Sequence, residues 1–347
     1  MDMKTLRQFL LLSLAILLVA CSLRQDSGLA QKTEGWQVSA PEAQGMDEQV
    51  LQQIAEEIEQ TGVKINSFLV VRHGSIVFEY YRDGMDQDTQ HNLYSCTKSI
   101  SSTLIGIAID QGKLQGVDQA VLELFPERTF ANPDPQKTAM TLEDFLTMTS
   151  GLDWDEGDPL IFDLARSPDW VQKVLDLPMA TVPGGTYNYC SGCSHILSAI
   201  VEQTTGMRTL DFAKRYLFDP LGIQDYTWDV DAQGTAVGGW GIHMTTRDMA
   251  KIGLLFLHEG AWDGQQVVSA AWVENATRAH IEQPELDYGY QWWIYPSRGA
   301  YLAMGRGGQT IFVDPEDDLV IAATADLRNH TQVFNLIEDF VFPAVIH

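Results

Sequence analysis

Basic side chains are scarce in this chain. Its 347 residues carry 22 Lys and Arg against 47 Asp and Glu, a formal charge of −25. A body so acidic disfavours nucleic acid, whose phosphates need clustered Lys and Arg. The acidity fits solubility or a salty habitat, and no long block of like charge stands out as an interaction tail. Cysteine is scarce too, with four residues at Cys21, Cys96, Cys190 and Cys193. Cys190 and Cys193, with His195 nearby, lack a second ligand pair, so no metal is expected. The three cysteines beyond Cys21 are odd in number, which in an exported protein leaves a free thiol or an intermolecular bridge. There is no internal repeat and no low-complexity segment. A Gly-x-Ser-x-Gly elbow is missing and none of the eight histidines sits in a recognisable motif, which disfavours a His-based triad.

Long apolar runs are missing as well. Residues 9–20 form an apolar stretch of twelve, short of the about 20 that span a bilayer comfortably. Lys4 and Arg7 precede it and Ala20-Cys21 follows, the order of a leader segment. Leu18-Val19-Ala20-Cys21 resembles the lipobox of bacterial lipoproteins. That resemblance implies a signal peptide over 1–21, lipidation of Cys21, and a polar tether over 22–35. It also implies a cell-envelope address on the extracytoplasmic side, at the outer membrane if the cell has one, since no Asp follows Cys21.

What the chain does have is 45% hydrophobic content, enough for a large core. Alternation and turn residues predict a helix over 41–62 and strands over 67–72 and 75–81, with His73-Gly74 as a hairpin turn. Further strands are expected over 288–295, 300–304, 310–313 and 319–324, then a helix over 331–342. Strands thus cluster at both ends. The expected fold is α+β, one antiparallel sheet drawn from 36–94 and 285–347 and flanked by helices, with a mainly helical region over 95–284 inserted. A site would lie at the seam between the two regions.

Ser95-Cys96-Thr97-Lys98 opens a helix whose apolar positions include Ile100, Leu104, Ile107 and Ala108, with Gly112 as a stop. This spacing puts a hydroxyl and an amine on one face, where burial would lower the lysine pKa and let it take the serine proton. Alone, the pattern is equally an N-cap and a solvated lysine. A second constellation, 183–192, carries Tyr189 and Ser191 into another amphipathic helix. A third, Gly305-Arg306-Gly307-Gly308-Gln309, leads into a strand where glycines allow close backbone approach. The acidic stretch 154–158 and Trp292-Trp293 could line the pocket or be surface loop and core.

With these motifs in this order the chain resembles the serine β-lactamase and penicillin-binding-protein superfamily. The branch it resembles is class C β-lactamase-like and includes D-alanyl-D-alanine carboxypeptidases, family VIII esterases and 6-aminohexanoate-oligomer hydrolases. The resemblance covers nearly all of 36–345 and implies the β-lactamase/transpeptidase-like fold and a serine hydrolase domain over 36–347. It implies Ser95 as acyl-forming nucleophile and Lys98 as proton shuttle. Tyr189 is implied as acid or base, with a phenol pKa lowered by the Lys98 ammonium. Ser191, Arg306, Gly307 and Gly308 fall in the substrate-binding boxes, and the N–H groups of Ser95 and Gln309 in the oxyanion hole. No cofactor is needed, and the implied partner is a small-molecule ester or amide. Rival expectations are a penicillin-binding carboxypeptidase or β-lactamase, and a non-hydrolytic sensor. Were the site so assembled, Cys96 and Cys190 would each neighbour an active-site residue, leaving a disulfide or a redox-sensitive thiol there open.

Overall fold

The computed structural model describes residues 31–33 and 35–346. Cys21, the leader and residues 22–30 and 34 of the tether lie outside the described residues. In chain order, two short edge strands, β1 (Gln31–Thr33) and β2 (Trp36–Val38), precede the hairpin β3 (Ile65–Arg72) and β4 (Ser75–Tyr81). His73 and Gly74 turn that hairpin with positive φ at both positions, as a tight two-residue connection requires. Three short strands follow, β5 (Gln90–Asn92), β6 (Tyr226–Trp228) and β7 (Ile242–Thr245), then a small hairpin of β8 (Ala261–Trp262) and β9 (Gln265–Gln266). The C-terminal part supplies β10 (Asp287–Tyr288), β11 (Trp293–Tyr295), β12 (Ala300–Gly305), β13 (Gln309–Asp314) and β14 (Leu319–Ala325).

The main sheet has nine strands in the order β1-β2-β4-β3-β14-β13-β12-β11-β10, so both chain ends do build it, meeting where β3 pairs β14. All its neighbours are antiparallel except β2 and β4, which run parallel. The sheet is therefore mixed at that edge rather than wholly antiparallel, because residues 39–74 intervene and carry a helix across before the chain returns.

Strand alternation assigns the two faces. Leu69, Val71, Ile311, Val313, Val320 and Ala322 point into one core, and Phe68, Val70, Phe312, Leu319, Ile321 and Ala323 into the other. The second core is covered by α1 (Glu48–Thr61), which presents Leu51, Ile54 and Ile58 and is capped by the Asp47 carboxylate. The first core is the larger. It receives the central helix α2 (Thr97–Asp110), then α3 (Trp170–Leu175), α4 (Ser191–Thr205) and α5 (Thr246–Leu257). A last helix, α6 (Thr331–Leu336), joins α1 on the outer face and runs on through a wider turn over Ile337–Val341. The region 95–284 is not purely helical: it holds β6 to β9, and β7 bridges β5 and β6 as a separate three-stranded sheet. Among the described residues no helix is long and apolar enough to cross a membrane.

Candidate active site

Helix α2 does not face solvent on any side. Every residue from Thr97 to Ala108 is buried, although Ser99, Ser101, Ser102 and Thr103 are among them. Two of these hydroxyls fasten the helix to different loops: Ser99 Oγ donates to the Gln291 carbonyl at 2.7 Å and Ser101 Oγ to the Gly238 carbonyl at 2.8 Å. The helix is entered through a 3-10 turn, Tyr94–Cys96, in which Tyr94 has φ 45 and donates its N–H to Asn92 Oδ1 at 2.8 Å. A tyrosine held in the left-handed region is strained, and the bend leaves Ser95 half-buried above the helix start.

One turn on, Lys98 is 1% exposed. Its Nζ lies 3.0 Å from Ser95 Oγ, 2.8 Å from Ser191 Oγ and 2.8 Å from the Gly239 carbonyl. Burial lowers the Lys98 pKa to about 8, the nearby Glu156 carboxylate holding it from falling further. Ser191, at the head of α4, donates its hydroxyl to Glu156 Oε1 and its N–H to Glu156 Oε2 at 2.9 Å. Trp154 Nε1 completes the carboxylate's shell at 2.7 Å.

Tyr189 flanks the same lysine, with Nζ 4.8 Å from the ring centroid. The expected lowering of its phenol pKa does not occur. Burial raises it strongly, outweighing the hydrogen bond with Ser95 that pulls it down, because the ammonium meets the ring face rather than the hydroxyl. Trp293 stacks on Tyr189 at 6.1 Å, and Tyr288 meets both edge-on. Trp292, its neighbour in sequence, turns the other way into the core against Phe256.

The hairpin between β12 and β13 abuts the Tyr94–Cys96 turn that carries Ser95. A Cβ at Gly305 would sit 2.1 Å from the Leu93 carbonyl oxygen, so only glycine lets the two backbones come this close. Cys96 Sγ donates to the Gln309 carbonyl at 3.5 Å across the same contact. The Gln309 side chain is turned away: its amide pairs with the Ala325 main chain at 3.0 and 3.1 Å. Arg306 is exposed at the hairpin tip, while Gly307 and Gly308 carry the positive φ that turns it.

The chain matches the family profile Beta-lactamase over residues 48–340. It is 30% identical over 279 residues to a 6-aminohexanoate-dimer hydrolase of Paenarthrobacter ureafaciens, covering 74% of this chain and 71% of that protein. The chain belongs to the beta-lactamase family. It is a serine hydrolase of that type. Solved structures agree on the fold. A family VIII carboxylesterase superposes with TM-score 0.71 at 17% identity, over 85% of this chain and 96% of that one. A penicillin-binding-protein homologue from Caulobacter crescentus gives 0.66 at 18%, over 82% and 92%.

Within this family member, the odd cysteine count does leave one free thiol among the described residues, and the structure decides which. Cys190 is bonded to Cys193, closing the first turn of α4, and Cys96 remains a free buried thiol. Burial raises the Cys96 pKa, so the thiol stays protonated beside Ser95. Two contributors were not singled out from sequence. Gly239, whose carbonyl holds Lys98, sits in a Gly-Gly pair that packs on α4; a Cβ at Gly238 would meet the Ser194 carbonyl oxygen at 2.1 Å. Glu156 lay in an acidic stretch, but nothing local separates it from Asp155, and only the approach of α4 does so.

Proposed function

We propose that this chain is an exported hydrolase that cleaves an ester or amide bond of a small molecule through an acyl-enzyme on Ser95. The contact that carries the reading is the 3.0 Å approach of a fully buried Lys98 to Ser95 Oγ. Such a lysine, with pKa about 8, is neutral in about one molecule in ten at pH 7. Neutral Lys98 takes the Ser95 proton as Oγ bonds to the substrate carbonyl carbon. The developing oxyanion is met by the N–H groups of Ser95 and Gln309. The leaving alcohol or amine takes its proton from the Lys98 ammonium, with Tyr189, kept protonated by burial and hydrogen-bonded to Ser95, donating toward the leaving atom. Water then releases the acid and free Ser95. The stacked Tyr189 and Trp293 suit an apolar acyl group. The relative that acts on a 6-aminohexanoate dimer and the carboxylesterase of the same fold support a small amide or ester as substrate.

The test is reaction of purified protein with a fluorophosphonate probe, read by mass spectrometry. One adduct on Ser95, absent in Ser95→Ala and Lys98→Ala, is expected; adduct formation undiminished in Ser95→Ala would overturn the reading. Membrane attachment through a lipid on Cys21 belongs to the same proposal. Cys21→Ser is expected to move the protein from the membrane to the soluble fraction, and an unchanged distribution would refute the anchor.

A further inference from the structure

Hydrogen-bond direction around Lys98 assigns work to a residue outside the Ser-Lys-Tyr set. The Gly239 carbonyl can only accept, and it lies 2.8 Å from Nζ. Ser191 Oγ, also at 2.8 Å, has a single proton, and that proton is given to Glu156. Ser191 is 2% exposed, so no solvent competes for it. It therefore meets Lys98 as an acceptor. A neutral amine has two N–H bonds and one lone pair. With both N–H bonds drawn to Gly239 and Ser191, the lone pair is left facing Ser95 Oγ at 3.0 Å. Were the Ser191 hydroxyl free to rotate, it could donate to that lone pair instead and occupy the base.

We propose that Glu156 is a positioning residue that fixes the donor direction of the Ser191 hydroxyl and thereby keeps the Lys98 lone pair available to Ser95. The inference rests on the acyl-transfer reading above. The carboxylate is itself held, since Oε2 accepts from both the Ser191 N–H and Trp154 Nε1. Its charge has a second effect on the same atom. It opposes the drop in Lys98 basicity that burial causes, so the amine is a stronger base than burial alone would leave.

The experiment is the rate at which the fluorophosphonate labels Ser95 between pH 6 and pH 9.5 for the native protein, Glu156→Gln and Glu156→Asp. Gln cannot replace the carboxylate: with its amide oxygen toward the Ser191 and Trp154 N–H groups its nitrogen faces Ser191 Oγ and turns that hydroxyl round, and with the amide reversed its nitrogen faces the two N–H donors. E156Q is expected to lose about tenfold in the plateau rate and to move its rising limb to lower pH by about half a unit or more. E156D keeps the charge, so its limb stays at the native position even where the plateau drops. Native rate and limb in E156Q would overturn the assignment, and so would equal losses in both variants with the limb unmoved, the signature of a structural role. If E156Q fails to fold by circular dichroism, Ser191→Ala tests the same link: about tenfold slower labelling supports it and native labelling overturns it. Native protein that shows no Ser95 adduct at any pH would overturn the acyl-enzyme reading and this one with it, whereas a labelled native protein with an unaffected E156Q overturns this one alone.

Discussion

At Lys98 two opposing influences meet, and their balance sets when the site works. Burial disfavours the ammonium and Glu156 favours it, leaving a pKa of about 8. In the proposed acyl transfer the lysine must be neutral to take the Ser95 proton, so the charged form present at lower pH would be inactive. Activity should therefore rise with pH, about tenfold per unit below the lysine pKa, and level off above it. A profile of kcat/KM against pH on a p-nitrophenyl ester checks this, and a flat profile from pH 6 to 9 would contradict it. The serine and lysine were legible in sequence because their spacing is helical and local. The state of Tyr189 was not. The phenol is raised by burial against Tyr288 and Trp293, which arrive from a stretch of chain far from Tyr189 in sequence.

Elements deliver these side chains through their first turns. Ser95 leaves the 3-10 turn ahead of α2, and Ser191 opens α4, where the Cys190 side chain caps the helix and the disulfide to Cys193 closes its first turn. The hairpin between β12 and β13 supplies the third side, and its distance from Ser95 is set by a glycine. Gly305→Ala places a methyl 2.1 Å from the Leu93 oxygen, so the hairpin must back away. We expect a cost of about 1–3 kcal/mol in stability. Labelling of Ser95 should slow about a hundredfold, because misplacement of about 1 Å beside a reacting centre costs that much. Thermal melting together with the labelling rate checks both, and an unchanged labelling rate would show that the hairpin does not position the reaction. Helix α2 was expected from its apolar spacing. Its Ser99 and Ser101 are buried as well, because Gln291 and Gly238 bring carbonyls to those hydroxyls.

Over the whole molecule, the site lies where the helical region meets the sheet, and one buried residue ties the parts. Gln291 is 2% exposed with φ 63. Its amide oxygen accepts from Ser194 on α4 at 2.7 Å, and its amide nitrogen donates to the Phe145 and Leu146 carbonyls at 3.0 and 2.9 Å. Its own carbonyl accepts from Ser99 on α2. Gln291→Ala strands the Phe145 carbonyl, leaves Ser194 Oγ only a 3.4 Å bond to the Cys190 carbonyl and keeps the strained backbone, so a loss of about 1–3 kcal/mol is expected, read as a fall in Tm of roughly 3 °C or more. A Tm within about 1 °C of native would refute this role. Local pattern determined much of this protein by itself: the alternating strands at both ends, the His73-Gly74 turn, the helix behind Ser95, and the pairing of Ser95 with Lys98 depend on neighbours within a few residues. Only the tertiary structure decided the parallel β2–β4 edge, the Cys190–Cys193 bond with Cys96 left free, the carbonyl of Gly239 on Lys98, and the choice of Glu156 over Asp155. Each of these depends on groups brought together by packing and backbone direction, and periodicity along the chain carries no record of which segments will meet or which of two adjacent carboxylates will reach Ser191.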